Sequence, residues 1–248
     1  MLCRILLYAI VKMTSIFPLS PWNFSTFLQC PFKFWCQKDP EINPLPQKEN
    51  IYAIFGKNLH KIIYNYYLKI KEEREISVDD IHCLLEDVIN EQSPVLGIND
   101  IKNYATHLRN FEEFEADRIK KGWQVLEVEK EVVNGKLKGI LDAIFKDRKG
   151  DIIIVDWKTG KWRDDFLVQG YIYQRLLKAD KVLFYQTLNG FEHVLQGKEL
   201  IKGKNMVIKI LEQIKAGVNE KRRNRFCCNC EYSIACGLDN LGFGLEEV

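Results

Sequence analysis

The chain has 248 residues, 36 Lys and Arg against 34 Asp and Glu, a formal net charge of +2 and 46% hydrophobic residues. Those proportions belong to a globular protein with a real core and exclude a disordered chain, a collagen or a charged tail protein. A chain this near neutrality cannot hold a polyanion by bulk charge, so any contact with nucleic acid needs a local basic patch.

The first twenty residues carry an apolar stretch, Ile5 to Val11, between Arg4 and Lys12. No small-residue cleavage site follows it, so it reads as a first strand, or as an over-called start upstream of Met13, rather than as an export signal. No run approaches the ~18 apolar residues that span a bilayer, and the expected location is cytoplasmic. Prolines then break the chain into short pieces. Ser20-Pro21 is a helix start, serine capping and proline in the first turn, with the helix running through Phe24, Phe27 and Leu28. A second helix begins near Asn50, where Ile54, Leu59, Ile62, Ile63, Tyr66 and Tyr67 recur at helical spacing. Further helices are expected over Ser77 to Glu91, on Ile81, Leu84, Leu85 and Val88, and over Asp100 to Lys121.

Beyond Gly122 the period changes. Trp123 to Val133 alternates as a strand, Asn134-Gly135 signals a two-residue hairpin, and Lys136 to Lys146 returns. Asp151 to Lys158 is a third strand, apolar on both faces through Ile152 to Val155, as a central strand is. A helix over Phe166 to Leu177, strands over Lys181 to Leu188 and Phe191 to Leu195, and a helix over Asn205 to Val218 complete the order. The fold class is therefore α/β, a mixed central sheet flanked by helices, with an N-terminal helical region and a C-terminal Cys cluster. The segments divide as 1–19, a helical region 20–122, a core 123–220 and a basic, Cys-rich tail 221–248.

Two acids stand where apolar residues are expected: Asp142 inside a strand and Asp156 at the end of an apolar run, with Lys158 two residues on and on the same face. Buried carboxylates need a cation or several donors. Two on neighbouring strands make an oxygen-rich site for a hard divalent ion, which suits phosphodiester hydrolysis with the lysine neutralising developing charge. The competing reading is a strand-end salt bridge. Gln169 and Tyr173, four apart, share a helix face, and His60 lies among apolar helix positions. Glu129 and Glu131 are candidates for a further carboxylate from the preceding strand, or simply an outward charged face.

Gly139-Ile140-Leu141-Asp142, Val155-Asp156-Trp157-Lys158-Thr159-Gly160, Gln169 with Tyr173, and Gly56 with His60 occur in an order that resembles the RecB-type branch of the PD-(D/E)xK nucleases. Gly170 departs from the leucine usual after the glutamine. The resemblance implies a restriction-endonuclease-like fold and a metal-dependent deoxyribonuclease. In it His60, Asp142, Asp156 and the Trp157 carbonyl hold Mg2+ or Mn2+, Lys158 assists attack, and Gln169 and Tyr173 position the substrate or the lysine. It also implies a single-strand exonuclease acting on DNA, single-stranded or with a free end.

Cys227, Cys230 and Cys236 follow C-x2-C-x5-C, a spacing for metal ligands that need a fourth thiolate, Cys228 or Cys30. The chain resembles the iron–sulfur subgroup of these nucleases, AddB-type enzymes and CRISPR-adaptation exonucleases. That resemblance implies a 4Fe–4S cluster on Cys30, Cys227, Cys230 and Cys236, with CRISPR integration proteins or a helicase as partners. Zinc suits the same four thiolates. Lys221 to Arg225 reads as a solvated run or a phosphate track, and Phe32, Phe34 and Trp35 as core or as stacking platforms for bases. The rival from another class is a non-catalytic DNA-binding or scaffold module with the same fold.

Overall fold

A computed structural model describes residues 16–47, 50–72 and 98–237, with Ile81, Cys83, Leu84 and Asp87 between them. The expected helix over Ser77 to Glu91 has those four residues helical, and its remainder lies outside the described residues. So does the apolar stretch before Met13.

Helix α1 (Pro21–Gln29) starts as its sequence dictates: Ser20 and Asn23 exchange side-chain and backbone hydrogen bonds in a capping box. Helix α2 (Pro31–Cys36) follows at once. Helix α3 (Ile51–Lys71) begins at Asn50, whose side chain accepts from the Tyr52 N–H, and α4 (Ile98–Lys121) carries the second periodic run. Then come β1 (Gln124–Asn134), β2 (Leu137–Lys146), β3 (Ile152–Lys158), α5 (Asp165–Leu177), β4 (Lys181–Gln186), β5 (Phe191–Leu195), α6 (Lys198–Lys215) and a short α7 (Ser233–Cys236). Among the described residues, no helix is long and apolar enough to cross a membrane.

The sheet runs β1-β2-β3-β4-β5. Only β3 and β4 are parallel, and α5 makes the crossover that a parallel pair requires. Alternation along the strands sorts two cores. Ile153, Val155, Trp157, Leu183 and Tyr185 face α3 and α4, meeting Leu59, Tyr67, Tyr104, Phe111 and Phe114. Ile154, Val182 and Phe184 face the other way, onto Phe24, Phe27, Ile172, Val207 and Ile210 of α1, α5 and α6. The mixed, helix-flanked sheet expected from the sequence is the observed fold.

Three boundaries differ. The hairpin turn is Gly135-Lys136, one residue later than expected: Asn134 still pairs with Leu137, and the positive φ of 60° falls on Gly135. Strand β4 stops at Gln186 because Thr187 is claimed from outside the sheet. His107 Nδ1 lies 2.7 Å from its Oγ1, and Asn110 donates to its carbonyl at 2.7 Å. Helix α6 begins at Lys198 instead of Asn205, entered from Gly197 without a side-chain cap, so the start signal was absent.

Gly203 lies in the part of α6 that precedes the expected start at Asn205. It is there for packing: a Cβ at that position would stand 2.3 Å from the Leu167 backbone oxygen of α5. Gly170 is its counterpart on α5, where a Cβ would stand 1.9 Å from Leu195 Cδ1. This explains why leucine is absent after Gln169. Alanine is favoured over glycine in a helix by about 1 kcal/mol, yet Gly203→Ala is expected to destabilise the protein by about 2 kcal/mol through overpacking against backbone. Gly170→Ala, which meets only the movable end of a side chain, costs less. Urea unfolding of both variants checks the order.

Candidate active site

Strands β2 and β3 are paired from Lys146–Ile152 to Ala143–Val155. Beyond that rung they part, while β3 stays paired with β4 as far as Lys158–Gln186. Asp142 and Asp156 are the first residues past the last rung. The parted strands free the Trp157 N–H, which donates to Asp142 Oδ2 at 2.9 Å. The other side of β2 is irregular at the same level. Glu129 sits between the rungs Val128–Ala143 and Lys130–Leu141 with φ 42°, a conformation costing a side-chain-bearing residue about 1 kcal/mol or more. Across this irregularity Leu141 faces the α5 layer and Ala143 the α3–α4 layer, although they are two residues apart. Glu129 and Glu131 are themselves exposed.

Asp156 and Lys158 project together towards α5, as their spacing predicted. Asp156 is 1% exposed, and Lys158 Nζ stands 2.5 Å from its Oδ2. Gln169 closes the arrangement. Its Oε1 accepts from Lys158 Nζ at 2.9 Å, its Nε2 donates to Asp156 Oδ1 at 2.8 Å, and Nε2 also lies 2.7 Å from Tyr173 Oη. Tyr173 Oη donates in turn to the Ile140 carbonyl at 2.9 Å. His60, from α3, places Nδ1 3.4 Å from Asp142 Oδ2. The structure thus brings together His60, Asp142, Asp156, Lys158, Gln169 and Tyr173.

Two partners were not anticipated. Lys158 Nζ lies 4.6 Å from the Phe166 ring centroid and 5.4 Å from that of Phe184, both within cation–π reach. An aromatic in the first turn of the helix after Lys158-Thr159-Gly160 was the available signal. Thr187 is the second: its N–H donates to the Lys158 carbonyl at 3.0 Å, so His107 and Asn110 hold the end of β3 through it. Burial holds His107 down at about 4, so it is a neutral strut at physiological pH.

The electrostatics ask for more positive charge than Lys158 supplies. The Asp142 carboxyl is pushed up to about 6, chiefly by burial and then by the Asp156 charge, against the pull of His60, Lys158 and the Trp157 N–H. Asp156 Oδ2 is buried, with the Lys158 ammonium 2.5 Å away on one side. A buried carboxylate beside a second that resists ionisation fits a divalent cation bound by oxygen and imidazole. Among the described residues no three His, Cys, Asp or Glu side chains already converge as a closed ligand set.

The cysteines gather at the opposite end of the chain's path. Cys30, from the joint between α1 and α2, lines one cavity of about 110 Å3 with Cys227, Cys230 and Cys236. Cys228 is exposed, its Sγ against the Arg225 carbonyl. Cys36 is buried close enough to Cys230, Cys236 and Cys30 to feel their charge, and burial pushes its thiol up to about 11. Burial raises the Cys230 and Cys236 thiols as well. The shared cavity brings the four sulfurs of the C-x2-C-x5-C run and Cys30 to one place, although among the described residues no three of these side chains stand close enough to hold a metal as they are. The basic run before them is structural in part. Arg222 donates to the Leu28 carbonyl and Asn224 to that of Gln29, covering the last turn of α1, and Lys221 donates to the Cys236 carbonyl. Of the three aromatics near Cys30, Phe34 is fully buried, Trp35 donates to the Val218 carbonyl, and Phe32 lies under Lys221.

Fold and cluster together define a class: an α/β nuclease of restriction-endonuclease type, with its acids and lysine at a parting of the central strands. The chain belongs to the PD-(D/E)XK nuclease superfamily, whose model matches residues 18–237. No curated protein matches it. Among solved structures it is similar to "Crystal structure of SSO0001", at 16% identity and TM-score 0.35, over 75% of this chain and 94% of that one.

Asp142 makes a pH-dependent prediction for the metal-free protein. Its folded-state value of about 6 lies above the unfolded 3.8. The folded state therefore binds more protons between those values, and stability falls as pH rises through the window. Above it the penalty is full, about 3 kcal/mol. Asp142→Asn, which keeps an acceptor for the Trp157 N–H, is expected to raise the melting temperature in EDTA at pH 7, with the advantage fading as the pH falls from about 6 and gone below about 4. Thermal melts across that range check it.

Proposed function

We propose that this chain is a metal-dependent deoxyribonuclease of the RecB-like branch, a single-strand exonuclease stapled by a 4Fe–4S cluster. One observation carries the nuclease chemistry: Gln169 ties Asp156 and Lys158 into one network while the Asp142 carboxyl beside them remains short of positive charge. A purely structural salt bridge would leave no such deficit.

In this reading His60, Asp142, Asp156 and the Trp157 carbonyl hold Mg2+ or Mn2+. The bound ion supplies Lewis-acid polarisation of the scissile phosphate and a more acidic water. Lys158 neutralises charge that develops on the phosphate. Gln169 fixes the lysine's position, and Tyr173, anchored on the Ile140 carbonyl, fixes the glutamine's. Packing between Phe166 and Phe184 limits where the ammonium can swing. Cys30, Cys227, Cys230 and Cys236 hold the cluster, supported by their shared cavity and by the order of motifs. The same resemblance assigns the enzyme to CRISPR adaptation or DNA repair, beside integration proteins or a helicase, and to the cytoplasm.

End-labelled oligonucleotides on a gel test the chemistry. Hydrolysis is expected with Mn2+ or Mg2+ and not in EDTA. Asp142→Ala and Lys158→Ala should each lower it by at least about 100-fold, the scale of one electrostatic group. His60→Ala should weaken Mn2+ binding by calorimetry, whereas Gln169→Ala should slow turnover with metal affinity little changed. Full activity in EDTA would overturn the assignment.

Protein purified without oxygen is expected to be brown, with about four irons per chain. Cys30→Ala should lose iron and stability together, and Cys228→Ala should keep both. Stoichiometric zinc would overturn the cluster's identity.

A further inference from the structure

Trp22 is 63% exposed, although it stands in the first turn of a helix that otherwise feeds the core. Its mounting is rigid. The Ser20–Asn23 capping box fixes the turn, and Leu19 is hydrogen-bonded to the start of β2 through Lys136 and Lys138.

Trp22 and Ile140, itself 57% exposed, line one open cavity of about 390 Å3. Gln169 and Tyr173 line it too. These are the residues that touch Asp156 and Lys158, so the cavity is continuous with the candidate active site. Lys138 lies on its wall. Lys136, on the same end of β2, is exposed. A flat apolar ring, an apolar partner and a lysine beside the candidate phosphodiesterase centre match one chemistry: an unstacked nucleobase on its phosphate backbone. Glu131, the anion on the wall, can accept from a base N–H edge.

We propose that Trp22 is the stacking platform for a nucleobase next to the scissile phosphate, with Lys138 on the adjoining backbone. The proposal rests on the nuclease reading above and extends it. It gives the enzyme a physical reason to prefer single strands, because a base in a duplex has both faces occupied.

The test uses full-length protein with its metal centre intact, a fluorescein-labelled oligothymidine, the same oligomer with one abasic position near its end, and a duplex of equal length. Binding is read by anisotropy without divalent cation, and cleavage separately in Mn2+. Trp22→Ala is expected to weaken single-strand binding about 5- to 100-fold, the range for one stacked base. Trp22→Phe should restore most of it. Scanning the abasic position should find one site where wild type loses a similar factor and Trp22→Ala loses nothing further, the signature of a direct pair in a double-mutant cycle. In Mn2+, KM should rise more than kcat falls. Unchanged single-strand affinity in Trp22→Ala overturns the proposal. So does an abasic penalty that persists undiminished in the variant at every position, or an equal loss on duplex. Binding is read without catalysis, so a wild-type protein that fails to cleave would overturn the nuclease reading while the anisotropy still decides the role of Trp22.

Discussion

Two carboxylates sit at the point where a β-ladder ends inside the protein rather than at its edge, and much of the surrounding architecture answers that placement. A backbone N–H buried at a parting of strands must find an acceptor. The Trp157 N–H finds Asp142. The carboxylate so engaged stands beside Asp156, and burial together with the Asp156 charge disfavours the charge on Asp142. Lys158, His60 and Gln169 approach from three different elements to offset it. None of this works if β3 can move. Its Trp157 side chain, 1% exposed, is enclosed by Tyr67, Phe111, Phe114 and Tyr185, with rings at edge-to-face or stacked distances. Thr187 holds the strand's last carbonyl from the far side. The aromatic core is thus the mounting for the acids as well as a source of stability.

How much of this was legible follows from which interactions are local. The alternation that puts Asp156 and Lys158 on one face is a property of any strand, and both residues do meet Gln169. Ser20 and Asn50 cap the helices they announce. Failures cluster where a distant element decides the outcome. Thr187 leaves the sheet because α4 reaches it, which nothing in Lys181 to Leu188 could show. Helix α6 starts seven residues before Asn205, and Gly203 in that added stretch is a contact point with α5. The kink at Glu129 is invisible in an alternating strand, yet it changes which face β2 presents on either side of Asp142. Cys36 falls outside the C-x2-C-x5-C spacing, so only the packing of α2 against the tail places it near the other thiols.

The two ends of the matched region are also joined without recourse to any metal. Phe32 N–H donates to the Glu220 carbonyl, Leu45 N–H to that of Glu231, and Lys33 pairs with Glu231 at 2.8 Å. Arg222 and Asn224 close the C-terminal turn of α1. These contacts set the basic run to structural work that its composition did not reveal. A cluster on the four cysteines would therefore tighten a clasp that already exists, and its stabilising effect would be smaller than the closure of an otherwise free loop of about 200 residues suggests.

The last link runs from packing to chemistry through α5. Gln169 reaches Asp156 and Lys158 only if the helix lies at the right height over β3 and β4. That height is set on one face by Gly170 against Leu195 and Phe184, and on the other by Gly203 against the Leu167 carbonyl. Both are closer than a Cβ allows, the Gly203 approach against backbone and the Gly170 approach against side chains that can shift, so α6 holds α5 more firmly than the sheet does. Tyr173, one turn on from Gln169, ties the same helix to β2 through the Ile140 carbonyl. The helix therefore reports the separation of β2 and β3 to the lysine, and a displacement of about 1 Å in a reacting group is enough to cost about 100-fold in rate. Faults in the α5–α6 interface, remote from the acids, should for this reason act on the lysine's position before they act on the fold.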